Sequence, residues 1–433
     1  YLNKTPSSAS NRRTWTWSGW FKRSKLGAFQ DIFISGSNAS GQLSSQFSWN
    51  SSDGITLYGA VSGASADYYL VTNALFRDPS AWYHLVLAVD TTQGTNSNRI
   101  KLYVNGEQVT SFSSETYPSQ NYDTAVNNNV LHTIGRFSVV SANPLDAYLS
   151  EVHFIDGSQL TPSSFGETND NGVWIPKKFA DSFGSNGFKL EFQQTGTSQN
   201  ASGIGADTSG SGNHFTPTNL AATDITTDTP QNNFATLNPL NSSASVALSE
   251  GNTKHTNSGA NDQASAATMG FTKGKWYWEV KCVDKAEVGI NLNSDILQLS
   301  NDSTVGSNDA NIKATSLITN SAGGSNDLRH NGSNESITSV SVADGDIISV
   351  AVDADNGKIW FAKNGTYFNS GDPAAGSNEA KDFSGAYTSG NFITPVGLIA
   401  TGDGDIFEIN FGNPSFSISS GNFDGAGYGN FEY

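Results

Sequence analysis

The chain has 433 residues, with 44 Gly, one Cys and one Met, and its 23 Lys and Arg against 40 Asp and Glu leave a net charge of −17. With no basic cluster longer than Arg12-Arg13, that charge excludes a sequence-independent phosphate-binding surface, so nucleic acid is not an expected partner. The lone Cys282 excludes an intrachain disulfide, and no apolar run approaches the roughly 20 residues of a membrane helix, so no membrane insertion is expected. The length suits two domains of roughly 170 to 200 residues each. Gly, Asn, Ser and Thr crowd the segments between short apolar runs, as turn-rich β proteins require.

In chain order, strands are expected at Thr14 to Arg23, Ala81 to Asp90, Ile100 to Val109, His132 to Phe137 and Ala147 to Gly157. Alternation places Trp15, Trp17 and Phe21 on the inner face of the first, Tyr83, Leu85, Leu87 and Val89 on that of the second, and Ile100, Leu102 and Val104 on that of the third, with Asn105-Gly106 as a turn. Trp20 falls on the face opposite Trp17 and is a candidate for exposure. These five strings resemble, in order, the laminin-G-like, concanavalin-A-like jelly roll. The resemblance implies a first sandwich over residues 1–195, completed by a strand at Lys189 to Phe192.

Residues 196–241 read as a polar connector punctuated by Pro217, Pro230 and Pro239, with Phe215, Leu220, Phe234 and Leu237 available to pin it to a domain surface. Beyond it, GKWYWEVKCV (Gly274 to Val283) alternates as a strand, Trp276, Trp278, Val280 and Cys282 on one face and Tyr277, Glu279, Lys281 and Val283 on the other. DIISVAVDADNGKIWFAKNGTYF (Asp346 to Phe368) reads as a three-strand meander whose turns fall at Asn356-Gly357 and Asn364-Gly365, and PVGLIATGDGDIFEINFG (Pro395 to Gly412) closes the set. These motifs resemble the SPRY family, which implies a second, non-enzymatic β-sandwich over residues 242–412 that binds partners through loops at one end. A Gly-rich segment, 413–433, follows. The expected fold class is all-β, two tandem antiparallel β-sandwiches joined by an irregular connector.

The order of the three parts, with the connector strings Gly157 to Phe179, Asn186 to Gly196 and Asp207 to Leu240, is similar to that of tail-fibre and other virion-associated proteins of bacteriophages. That resemblance implies a non-enzymatic virion protein, a tail fibre or capsid-attached appendage at the particle surface, whose partners are a host-surface glycan or protein and other virion proteins, and which is a homo-oligomer with a trimer favoured. Two rivals stand beside it: a purely structural decoration protein binding only other virion proteins, and a secreted prokaryotic adhesin or surface-filament subunit. Both ends of the sequence read as incomplete, the first opening on Tyr1 without an initiator Met.

Catalysis finds no motif. His84, His132, His153, His214, His255 and His330 show no H-E-x-x-H spacing, and no G-x-S-x-G elbow occurs. The acidic pairs Asp353/Asp355 and Asp403/Asp405 flank expected turns and read as hairpin-stabilising. No cofactor is expected. Calcium is compatible with the laminin-G resemblance, but the Asp353 to Gly357 run lacks the later Glu of an EF-hand loop, so its ligands stay unassigned. A sugar platform needs an aromatic face beside polar groups. Asp67, Tyr68 and Tyr69, the loop with Tyr117, Asn121 and Tyr122, and the loop around Tyr387 have that composition. The alternative is that these aromatics cap the sandwich ends or pack against a neighbour.

Overall fold

A computed structural model describes residues 1–36, 43–61, 65–137, 142–259, 263–284, 286–292, 314–318, 327–330, 333–335, 337, 341–385, 392–399 and 404–433. The chain forms two compact units, Tyr1–Asn233 and Phe234–Tyr433.

Among the described residues, one sheet of the first unit has eight strands in the order Phe112–Thr116, Tyr68–Thr72, Ile55–Val61, Leu43–Trp49, Gln30–Gly36, His132–Ile134, Leu2–Lys4 and Thr216–Pro217. The facing sheet has six: Phe188–Leu190, Ala147–Asp156, Thr14–Arg23, Trp82–Asp90, Ile100–Val104 and Glu107–Gln108. Period-two alternation drives the packing between them. Trp15, Trp17, Phe21, Leu85, Leu87, Val89, Ile100 and Leu102 lie in the core, with Tyr83 and Val104 at its margin, as their sequence phase requires. Position 19 shares that phase and is a glycine because a Cβ there would come within 2.6 Å of the Trp17 ring. The turn at Asn105-Gly106 has positive φ at both residues, 49° and 88°, as a type I′ turn needs.

The outward face of the six-stranded sheet is also covered. Residues Phe165, Phe179 and Phe183 pack on Val86, Ala88, Tyr103 and Ile155 of that face. Trp20 is therefore buried, contrary to the exposure its phase suggested. It stacks on His84 with centroids 4.6 Å apart, and His84 in turn stacks on Trp174 of the covering hairpin. Trp174 Nε1 donates to His84 Nδ1 at 3.0 Å, which fixes the neutral ring with its proton on Nε2, 2.8 Å from Ser18 Oγ.

Residues 196–233 lie in this unit, because their few apolar side chains have seats in it. Ile204 and Phe215 are core residues, and Leu220 and Ile225 pack at the edge. Asp228 returns to the six-stranded sheet, where its carboxylate accepts from Lys22 Nζ at 2.7 Å and from Trp82 Nε1 at 3.1 Å. Both charged side chains are almost wholly buried. Burial pushes the Lys22 ammonium down against the pull of Asp228. Removing one partner of such a pair leaves an uncompensated buried charge, whereas replacing both by apolar groups does not. Asp228→Ala is expected to destabilise the chain by about 3 kcal/mol, and Lys22→Met with Asp228→Leu by less. Denaturant unfolding that ranks the double variant below the single one would contradict this.

In the second unit, among the described residues, one sheet runs Leu237–Ser242, Gln263–Ala267, Thr394–Ile399, Glu287–Asn291, Ala314–Ile318, Asp327–His330 and Ser333–Glu335. The other runs Val246–Ser249, Lys254–Asn257, Ile406–Asn410, Lys275–Cys282, Ile347–Asp353, Lys358–Lys363 and Thr366–Tyr367, with Lys381–Asp382 paired to Lys358–Lys363. Phe234 and Leu237 are buried in this unit. The Pro395 to Gly412 string supplies two strands, one to each sheet. The meander forms as expected, with positive φ at both Asn364 (45°) and Gly365 (77°). The other turn is wider. Of Asn356 and Gly357 only the glycine has positive φ, and Asp353 holds the turn by accepting from Asn356 N at 3.0 Å and Nδ2 at 2.8 Å. Trp278, Val280 and Cys282 enter the core, but Trp276, at the start of its strand, is 47% exposed and stacks on Phe271.

Candidate functional site

Most of the sequence-selected aromatics converge on one edge of the first unit. Strand Tyr68–Thr72 pairs with the edge strand Phe112–Thr116, Tyr69 opposite Thr116, so the segment with Tyr117, Asn121 and Tyr122 begins beside Tyr69. Tyr122 Oη donates to Asp67 Oδ2 at 2.9 Å, and its ring meets Tyr68 edge-on with centroids 6.0 Å apart. Tyr117 Oη donates to Glu115 Oε1 at 2.7 Å. Asn121 is exposed in the left-handed region, φ 63°, and its N–H donates to Thr91 O at 2.8 Å.

Two expectations need correction. Tyr68 and Tyr69 lie in a strand rather than a loop, and alternation divides them. Tyr68 points inward with Leu70 and is only 5% exposed, whereas Tyr69 points outward and is 38% exposed. Burial drives the Tyr68 and Tyr122 hydroxyls well above the usual phenol range, so both stay protonated donors. Tyr387 lies outside the described residues.

Sequence reasoning missed Tyr58. It is the direct cross-strand partner of Tyr69, and their rings meet edge-on at 6.3 Å. The signal was present: in Ile55–Val61, Ile55 and Leu57 share one phase and Tyr58 takes the other. Gln46 stands across from Tyr58 on the next strand, half-buried. The outward row Gln46, Tyr58, Tyr69, Thr116 thus presents two aromatic rings flanked by an amide and a hydroxyl, a surface chemically suited to the apolar face and hydroxyls of a neutral sugar.

The described residues contain no group of three or more His, Cys, Asp or Glu arranged to hold a metal ion. Four of the histidines, His84, His132, His153 and His255, are buried. Burial depresses His84 and His255 to about 3 and His132 and His153 to about 4. His132 accepts from Asn127 N through Nε2 at 3.1 Å, and Nδ1 is 2.8 Å from Val130 O.

Residues 2–165 match the family model described as concanavalin A-like lectin/glucanases superfamily, and residues 275–412 match that of the SPRY domain. The chain therefore carries a concanavalin-A-like and a SPRY β-sandwich domain in tandem, folds that are typically non-catalytic binding folds. Similar solved structures include the SPRY domain of human HERC1, 18% identical over 40% of this chain and 96% of that one with a TM-score of 0.30. The TRIM65 PSpry domain is 16% identical over 41% and 93%, with a TM-score of 0.30. No curated protein matches the chain.

The depressed histidines dictate a pH dependence. Between about pH 6.5 and their folded values, the unfolded chain binds protons that the folded chain refuses, so their stabilising contribution is full above about pH 6.5 and is lost as pH falls. Each such proton contributes a slope of about 1.4 kcal/mol per pH unit in that window. Urea midpoints are expected to drop between pH 6.5 and 5, where ordinary carboxylates remain ionised, and His84→Gln to reduce the slope. A flat profile there contradicts the assignment of these rings as neutral.

Proposed function

We propose that this chain is a non-enzymatic adhesion component of a bacteriophage particle, a tail fibre or capsid-attached appendage, that engages host-surface glycans through the first sandwich. The observation that carries the binding half of this reading is the outward Tyr58–Tyr69 pair beside Asp67 on a concanavalin-A-like sheet. The particle half rests on the resemblance of the whole three-part order to virion-associated proteins. Neutral glycans suit a chain of net charge −17, since they meet no electrostatic barrier at its surface. Single glycan sites bind weakly, and a homo-oligomer, with a trimer favoured, raises effective affinity by roughly 10² to 10⁴. Light scattering that finds only monomer at micromolar concentration counts against the oligomer.

The structural rival draws support from one observation: Tyr68 and Tyr122 are built into the sandwich edge. Single substitutions separate the two readings. Tyr69→Ala, alone or with Tyr58→Ala, is expected to abolish binding to host cells or a glycan array while Tm stays nearly unchanged. Tyr68→Ala is expected to lower Tm by several degrees whatever the ligand, because it empties a core position worth roughly 3 kcal/mol. A Tyr58→Ala/Tyr69→Ala protein that adheres normally removes this row from the site and favours a decoration role.

A further inference from the structure

Glu279 is a buried carboxylate of the second unit. It stands on the outward face of strand Lys275–Cys282, where its phase predicts solvent, yet it is fully buried. Its cover is the segment that ends at Tyr433. Oε1 accepts from Tyr433 N at 2.9 Å and Tyr277 Oη at 2.9 Å, and Oε2 accepts from Glu432 N at 3.0 Å and Asn410 Nδ2 at 3.1 Å. Two consecutive backbone N–H groups thus converge on one carboxylate, a main-chain concavity of the kind that binds anions, with the anion supplied by the sheet.

The surrounding residues read the same segment. Asn410 Nδ2 also donates to Asn430 O at 2.8 Å, and Tyr277 Oη lies 3.2 Å from Tyr433 O. Phe431 is buried edge-on against Tyr277 with centroids 5.2 Å apart. The Tyr433 ring packs over Gly365, where a Cβ would come within 2.7 Å. Burial pushes the Tyr277 hydroxyl well above the usual phenol range, which keeps it a donor to Glu279. The contacts to residues 430–433 are mostly to main chain, with one aromatic slot. Within its own segment Phe431 pairs with Asn422, N–H to O in both directions at 2.8 and 2.9 Å, and Glu432 accepts from Ser419 and Ser420, so residues 419–433 form a short hairpin whose outer arm gives the Glu432 and Tyr433 N–H groups and the Phe431 ring to the sheet, as a bound peptide gives them to a receptor.

We propose that Tyr277, Glu279 and Asn410 form a peptide-binding site on the outward sheet face of the second sandwich, which takes a short segment of Asn-Phe-Glu-Tyr type and is filled by residues 430–433 of the chain itself. The segment is a ligand held in place, and its release opens the site. Recognition depends on the Glu279 carboxylate, which accepts from both converging N–H groups.

The test uses the folded 433-residue chain carrying a protease-recognition insertion after the exposed Ser417. After cutting, a fluorescent peptide spanning residues 418–433 is added and its anisotropy followed. Saturable exchange of the labelled peptide for the cut segment is expected. Binding should weaken at least tenfold with Glu279→Gln, whose carboxamide turns an N–H2 toward a backbone N–H, and equally with Phe431→Ala in the peptide, which leaves the receptor untouched. The proposal is overturned if the cut segment cannot be displaced, if the labelled peptide stays unbound at about 1 mM, or if the Phe431→Ala peptide binds as well as the original.

Discussion

A sandwich sheet hides one face against its partner, and the fate of its other face is the constraint that organises this chain. In each unit one outward face is covered by irregular chain, and covering it strands polar groups away from water. The strands there carry Lys22, His84 and Glu279 at positions whose phase points outward. Each is met by a partner from the covering segment: Asp228 for Lys22, Trp174 for His84, and the Glu432 and Tyr433 N–H groups for Glu279. An unmet polar group would offset part of what the cover gains in apolar burial, so these anchors help to hold the cover in place.

These anchors explain which parts of the fold could be read from sequence. Alternation identifies residues that share a face, and the inner faces of Thr14–Arg23, Trp82–Asp90 and Ile100–Val104 followed from it. It does not reveal whether a distant segment covers the opposite face. Trp20 and Glu279 both had the right phase and the wrong expected environment for that reason, since their covers come from residues around 174 and 432. The partner of Lys22 lies 206 residues away, beyond any local pattern. Phe215 was legible as an apolar residue in a polar stretch, but its seat was not.

The candidate site was legible in composition and misread in geometry. Asp67, Tyr68, Tyr69, Tyr117 and Tyr122 do gather at one edge, but a run of adjacent tyrosines in a strand must split between core and solvent. Tyr69 keeps its exposed ring because its neighbours Tyr58 and Thr116 also face outward, while Tyr68 and Tyr122 lock the edge that supports it. A platform on a strand is more rigid than one on a loop, so rings placed this way keep little freedom to lose.

Fixed donors of this kind also accommodate the carboxylates that two acidic, His-containing domains place inside. Two of the buried carboxylates, Asp228 and Glu279, accept from donors fixed by the sheets, and the imidazoles of His84 and His255 are held uncharged by burial. The outward Tyr58–Tyr69 row carries no charge of its own, although Asp67 and Glu115 stand nearby and are occupied by Tyr122 and Tyr117. With the nearby carboxylates engaged by phenols, the open surface offers rings, an amide and a hydroxyl, a chemistry in which shape and stacking outweigh net charge.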